Sequence, residues 1–178
     1  MKIYVASSWR NPHQPDLVGA LRVQGHEVYD FRHPPAGDHL GFSWSDVDPA
    51  WASWTAEQYV EALDHPIAAA GFDSDFGAMA WADAGVLVLP CGRSAHLEAG
   101  WFVGAGKLLY VLLDRDEFQP DAGHHVTELM YRMATRIFTS HHALLEDLYQ
   151  GSPMQEALAR RDAEHLLAYQ PLGGAGGA

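Results

Sequence analysis

Short apolar runs alternate along the chain with stretches of helical periodicity. Ile3 to Ala6 is β-rich. Pro12 and Pro15 then mark a helix start, and Leu17, Ala20 and Leu21 repeat with helical spacing up to Gly25. His26 to Phe31 predicts a second strand, with Val28 and Phe31 as core contacts. From Arg32 to about Thr55 the pattern breaks. Pro34, Pro35, Gly37, Gly41 and Pro49 interrupt it, while Trp44, Trp51 and Trp54 make it too aromatic for an inert linker. The segment reads either as a lid or pocket wall, or as a loop that its tryptophans pin to the body.

Thr55 to Leu63 and Pro66 to about Ala82 predict two helices, the second with Phe72, Phe76 and Met79 on one face and Gly71 as a weak point. Val86 to Leu89 and Leu108 to Leu113 are continuous apolar strands, with a helix from Ser94 to Gly104 between them. Strands this apolar are buried on both faces, and helices between them argue for a parallel sheet. Thr127 to Met133 reads as helical and Arg136 to Phe138 as a short fifth strand. Further helices follow near His142 to Tyr149 and Pro153 to Tyr169. No internal repeat or second domain emerges. The expected organisation is one α/β body over residues 1–150, a C-terminal helix over 151–170 packing on it, and a flexible Gly/Ala tail over 171–178.

The chain has 178 residues, 48% of them apolar, enough to fill one core. Eleven Lys and Arg against 23 Asp and Glu give a formal charge of −12, which repels phosphate polymers and anionic membranes. That argues against a nucleic-acid-binding or membrane-surface module. Met1-Lys2-Ile3-Tyr4-Val5 lacks the apolar stretch of a signal peptide, and no run approaches the roughly 20 apolar residues that span a bilayer. A soluble, cytoplasmic protein is expected. Cys91 is the sole cysteine, so no internal disulfide forms. It is read as a small buried or half-buried thiol in preference to a nucleophile. The pairs His124-His125 and His141-His142 point in divergent directions, and no HExxH spacing occurs, so no metal is expected.

Ligands of a doubly wound sheet bind beyond the carboxyl ends of its strands. Three loops lie there: Ala6 to Asn11, the segment opening at Arg32, and Cys91 to Ser94. Glu98 follows Ser94 by one helical turn, so it can project toward the same crevice. Leu97, Ala99, Trp101 and Phe102 make its helix apolar almost all round. Glu98 is therefore either a solvent-facing residue or an enclosed carboxylate, and an enclosed carboxylate without a cation is costly and marks a task. Asp75, inside a predicted helix among Phe72, Phe76 and Met79, is poorly placed by propensity. Asp73 reads as a solvated neighbour or a cap, and Asp83 as a cap or turn residue. Asp75 and Glu98 form a candidate pair suited to a glycosyl reaction. One carboxylate attacks or stabilises the anomeric carbon while the other delivers a proton to the leaving group.

Four segments carry a resemblance. "KIYVASSW", "DFGAMAWAD", "HLEAGWFVGAGK" and "TELMYRM", in that order between Lys2 and Met133, resemble the nucleoside 2-deoxyribosyltransferases and the related nucleotide N-hydrolases. The resemblance implies that Glu98 is the nucleophile, that Tyr4 lines the sugar site, and that Trp9 packs on the base beside Ser7 and Ser8. It implies that Asp75 contacts the base, with Asp83 completing a spaced pair of aspartates. It also implies an oligomer in which the stretch holding Glu128 and Met130 reaches a neighbour's pocket.

The chain departs from that pattern at three points. Arg10 stands where an apolar residue is usual, Glu128 where an Asn is expected, and Arg93-Ser94 bring a cation and a hydroxyl to a helix start. Arginine and helix N-termini favour phosphate. Against that, Arg10 can pair with a carboxylate, Ser94 reads most simply as an N-cap, and Glu128 would repel phosphate. The expectation is a single doubly wound α/β domain, flavodoxin-like or Rossmann-like, with a largely parallel five-stranded sheet. It would cleave the N-glycosidic bond of a nucleoside or nucleoside 5′-monophosphate, with transfer to a base or to water and without a cofactor. The alternative is a nucleotide-binding sensor that has lost turnover. A dinucleotide-binding redox domain ranks below both, because no GxGxxG follows the first strand.

Overall fold

A computed structural model describes residues 1–35, 41–113 and 127–149. Five strands form one parallel sheet: β1 (Lys2–Ala6), β2 (Glu27–Tyr29), β3 (Ala84–Val88), β4 (Leu108–Leu112) and β5 (Arg136–Phe138). Their order is β2-β1-β3-β4-β5, the flavodoxin-like doubly wound arrangement. The chain turns to opposite sides of the sheet after β1 and after β3, so a crevice opens between the carboxyl ends of those two neighbours.

Strand side chains alternate between two cores. Ile3, Val5, Val86, Val88, Leu108, Tyr110 and Leu112 face α1 (Gln14–Val23) and α6 (His141–Tyr149). Tyr4, Ala6, Leu87 and Val111 face the other side, where α4 (Pro66–Trp81) and α5 (Arg93–Gly104) supply Ala78, Met79, Ala95, Ala99 and Phe102. Each fully buried Leu, Ile or Phe contributes about 1.5–3 kcal/mol. The continuous apolar runs of β3 and β4 follow from this two-sided burial.

Local chemistry sets the helix ends. Pro15 lies in the first turn of α1, which ends before Gly25 at φ +84°. Thr55 and Gln58 form a capping box at the start of α3 (Ala56–Leu63). The α4 helix runs unbroken through Gly71. A Cβ there would meet the Phe42 side chain at 2.9 Å, so the glycine gives an aromatic ring room to approach.

Several expectations change. The second strand is shorter than His26 to Phe31, while Val28 and Phe31, each partly buried, do pack against the two cores. Of the three residues read as sharing one face of α4, Met79 is buried in the core and the other two are exposed. Phe72 and Phe76 stack on each other at the surface, and Phe76 meets the edge of Trp101. The stretch expected as helical before β5 is a 3₁₀ turn over Leu129–Met133. The aromatic segment carries a short helix, α2 (Trp44–Val47), and a 3₁₀ turn at Trp51–Ser53. Trp44 packs against Phe42, Trp54 and Tyr59 at 4.8–5.7 Å between ring centroids, an arrangement that pins the segment to α3 and α4. His124-His125, the helix expected over Pro153 to Tyr169 and the tail lie outside the described residues. Among the described residues no helix is long and apolar enough to cross a membrane, and no group of three or more His, Cys, Asp or Glu is placed to hold a metal ion.

Candidate active site

The register of the sheet places two tyrosines side by side. Tyr4 pairs with Tyr29 across β1 and β2, and their rings stack with centroids 5.3 Å apart and planes 10° apart. Both are buried. On the other flank Tyr4 pairs with Gly85, over which Phe102 lies, 5.8 Å from the Tyr4 ring. Both hydroxyls point to the α4–α5 side of the sheet, and each has a carboxylate partner there. Tyr4 faces Glu98 of α5. Tyr29 donates to Oδ1 of Asp75 on α4 at 2.8 Å and shares a 2.9 Å hydrogen bond with the Ser74 hydroxyl.

Electrostatics bind these four groups together. Burial, then the ionised Asp75 nearby, pushes the Glu98 carboxyl up to about 7, against the opposing effect of the Tyr4 hydroxyl. Burial also raises Asp75, and the hydrogen bond from Tyr29 opposes it. Burial and the two carboxylates together drive the Tyr4 phenol far above its ordinary value, so it stays a neutral donor. Interacting acids titrate as a pair, and here burial raises both carboxyl groups above their ordinary values.

Two devices hold the supports of the pair. Lys107, just before β4, sets its ammonium among the carbonyls of Met79, Ala80 and Ala82 at 2.5–2.9 Å, closing the C-terminal end of α4 that carries Asp75. The buried Asn11 binds Ser7 Oγ and the carbonyls of Val88 and Pro90 at 3.0–3.3 Å, joining the loop after β1 to the loop after β3.

The structure thus brings Tyr4, Asp75 and Glu98 together. Ser7, Ser8, Trp9 and Arg10 lie on the loop after β1. The Ser7 hydroxyl donates to the Val88 carbonyl, Ser8 Oγ accepts from the Arg10 amide, and Trp9 and Arg10 are exposed. Trp9 meets Phe31 edge-on at 5.5 Å. Arg93 and Ser94 are the first two residues of α5. The cap position is Gly92, so Ser94 is not the N-cap. Asp83 takes the turn reading, which removes it from the expected substrate contacts. Its carboxylate accepts from the Lys2 amide at 2.8 Å at the amino end of β1, opposite the crevice, because it sits in the turn entering β3. Asp73 is an exposed residue within α4 and caps nothing. Glu128 caps its own 3₁₀ turn by accepting from the Met130 amide, and both residues are exposed.

Sequence reasoning missed Tyr29, Asn11, Arg32 and His96. His96 bridges the Gly92 carbonyl and the Tyr131 hydroxyl, each at 2.9 Å. Arg32 sets its Nη2 among the carbonyls of Ser8, Trp9 and Asn11 at 2.8–3.1 Å. Only Tyr29 had a usable signal, a second Tyr in the strand beside Tyr4.

No family model matches the chain, and no curated protein does. Solved structures do match. A conserved protein from Enterococcus faecalis V583 is 17% identical with a TM-score of 0.54, covering 84% of this chain and 98% of that one. A 2-deoxyribosyltransferase from Bacillus psychrosaccharolyticus is 18% identical with a TM-score of 0.47, covering 82% and 90%. The CMP N-glycosidase BcmB of Clostridium botulinum is 16% identical with a TM-score of 0.44, covering 83% and 98%. At these identities the likeness is one of fold, and the chain shares the doubly wound α/β fold of the Enterococcus protein.

Proposed function

We propose that this chain cleaves the N-glycosidic bond of a nucleoside or nucleoside 5′-monophosphate by way of a glycosyl-enzyme on Glu98. One observation carries the reading. Two partly buried carboxyl groups lie at the switch point of the sheet, each facing a tyrosine hydroxyl, and burial raises both above their ordinary values. The reaction calls for two such groups, one ionised and one able to give a proton. An ionised Glu98 oxygen attacks C1′, the C1′–N bond breaks with its electron pair going to the base nitrogen, and Asp75 protonates or hydrogen-bonds the departing base. Tyr4 orients the Glu98 carboxylate toward the sugar. A second base or a water then attacks C1′ and releases Glu98, so the acceptor decides between transfer and hydrolysis.

The motif resemblance supports the reading, because its nucleophile and base-contacting positions fall on the two carboxyl groups that meet. Ser7, Ser8, Trp9 and Arg10, with Arg93 and Ser94, border the same end of the sheet and are the proposed substrate contacts. The stacked surface pair Phe72 and Phe76, next to Asp75 on α4, suits contact with a second copy. Glu128 and Met130 are the proposed residues that reach a neighbour's pocket.

The test is chromatography of the purified protein with a panel of nucleosides and 5′-monophosphates, with and without a free acceptor base. Release of base by the wild type, its loss in Glu98→Ala, and retained ligand-induced stabilisation of that variant are expected. Turnover by Glu98→Gln above a tenth of the wild-type rate removes the nucleophile role.

A further inference from the structure

Tyr29 stands outside every role assigned so far, yet it makes the one side-chain hydrogen bond that Asp75 receives among the described residues. Its position is set from three directions. Strand pairing puts it beside Tyr4, ring stacking at 5.3 Å fixes its plane, and the Ser74 hydroxyl, 2.9 Å away, holds its oxygen. A phenol has one proton to give. With Ser74 donating to the Tyr29 oxygen, that proton goes to Asp75 Oδ1.

We infer that Tyr29 is the positioning residue of the base-side carboxyl group. It occupies Oδ1 of Asp75, so that proton exchange with the leaving base runs through Oδ2. The inference rests on the proposed glycosyl reaction for its consequence, though its geometry does not depend on it. A carboxylic acid carries its proton on one oxygen. When a donor already occupies Oδ1, the proton is confined to Oδ2, and the group has one reactive edge in place of two. The same bond stabilises the ionised form and makes Asp75 the stronger acid. Placing the transferable proton on a single edge is an orientation effect, and loss of orientation of this kind costs up to about 100-fold in rate.

Tyr29→Phe tests this while keeping the stacked ring. In ¹³C spectra of the side-chain carboxyls, Asp75 is expected to titrate at higher pH in the variant than in the wild type, by about one pH unit. An unchanged or lower midpoint overturns the inference. This readout needs no substrate, so it stands even if the wild type releases no base from any nucleoside, a result that would sink the proposed reaction alone. Where base is released, Tyr29→Phe is expected to lower kcat by about 10- to 100-fold with KM changed far less. In an Asp75→Asn background the same substitution should cost less than about twofold. A full additional loss there means that Tyr29 does not act through Asp75. Should Tyr29→Phe fail to fold, 3-fluorotyrosine in place of Tyr29 keeps the shape and is the better donor. It must then move the Asp75 midpoint to lower pH, and failure to do so overturns the inference.

Discussion

Phe102 lies where a side chain at Gly85 would be: a Cβ built on Gly85 meets ring carbon Cδ2 of Phe102 at 2.7 Å. Gly85 is also the register partner of Tyr4, whose ring rests 5.8 Å from Phe102. The missing side chain lets α5 sit close to the sheet and seats Glu98 above Tyr4. Gly85→Ala should therefore cost about 1–3 kcal/mol, since Phe102 is fully buried and has no room to retreat. Urea denaturation measures it. A variant as stable as the wild type would show that α5 can shift outward, and an altered Glu98 titration should then accompany it.

Glu98 links function to stability with opposite signs. Its carboxyl is pushed up to about 7, first by burial and then by ionised Asp75, from an ordinary value of 4.5. Between those two pH values the folded chain keeps a proton that the unfolded chain releases. The contribution is complete below the unfolded value and is lost as pH rises through the folded one. Glu98→Gln abolishes the change. It should melt higher than the wild type at pH 8, by on the order of 1–3 kcal/mol of stability, with the difference largely gone at pH 4. On its acid limb the proposed reaction runs the other way, since attack on C1′ needs ionised Glu98: base release should rise as Glu98 ionises and fall again once the pair has lost the proton meant for the base, a maximum in pH. Thermal melts at the two pH values decide the first point. An equal difference at both would mean that Glu98 titrates normally.

The sheet was legible because β3 and β4 are buried on both faces, which leaves an uninterrupted apolar run in the sequence. Glu98 and Asp75 were legible for the converse reason, as charges placed among apolar neighbours in helices. For Phe72 and Phe76 the pattern gave a shared face but not the direction in which it turns. Apolar spacing cannot distinguish a face turned to the core from one turned to the surface, and α4 is apolar on most sides. Asp83 misled because spacing from Asp75 says nothing about which end of the sheet a turn occupies. Tyr29 acts through a partner 46 residues away and Arg32 through partners 21 to 24 residues away, and such pairings exist only once strand register is known.

Asn11 is fully buried and is the joint between the two loops that flank the crevice. Its Nδ2 faces Ser7 Oγ and two carbonyls, while its Oδ1 accepts from the His13 amide at 2.9 Å. Asn11→Asp keeps the shape and turns a donor into an anion facing acceptors. It should lose roughly 3 kcal/mol or more, and Asn11→Ala about 2 kcal/mol, as each leaves buried acceptors unpaired. Chemical denaturation ranks them. An aspartate variant more stable than the alanine variant would show that water enters the joint.

Arg32 bears on the exposed side of the same loop. Its guanidinium lies 5.7 Å from the Trp9 ring and 5.9 Å from Phe31, with Nη2 among the carbonyls of Ser8, Trp9 and Asn11. Cation–π contact and hydrogen bonds therefore converge on Trp9, the proposed base platform. Arg32→Met retains much of the apolar stem and removes every donor. The loop should then exchange its amide hydrogens faster, and the Trp9 indole signal should broaden or move. With Trp9 as the proposed base contact, away from the attacking carboxylate, the kinetic loss should fall on KM, about tenfold, with kcat little changed. A fall in kcat at constant KM would instead place Arg32 in service of the carboxyl pair. Unaltered kinetics with a mobile loop would remove Trp9 from the substrate contacts.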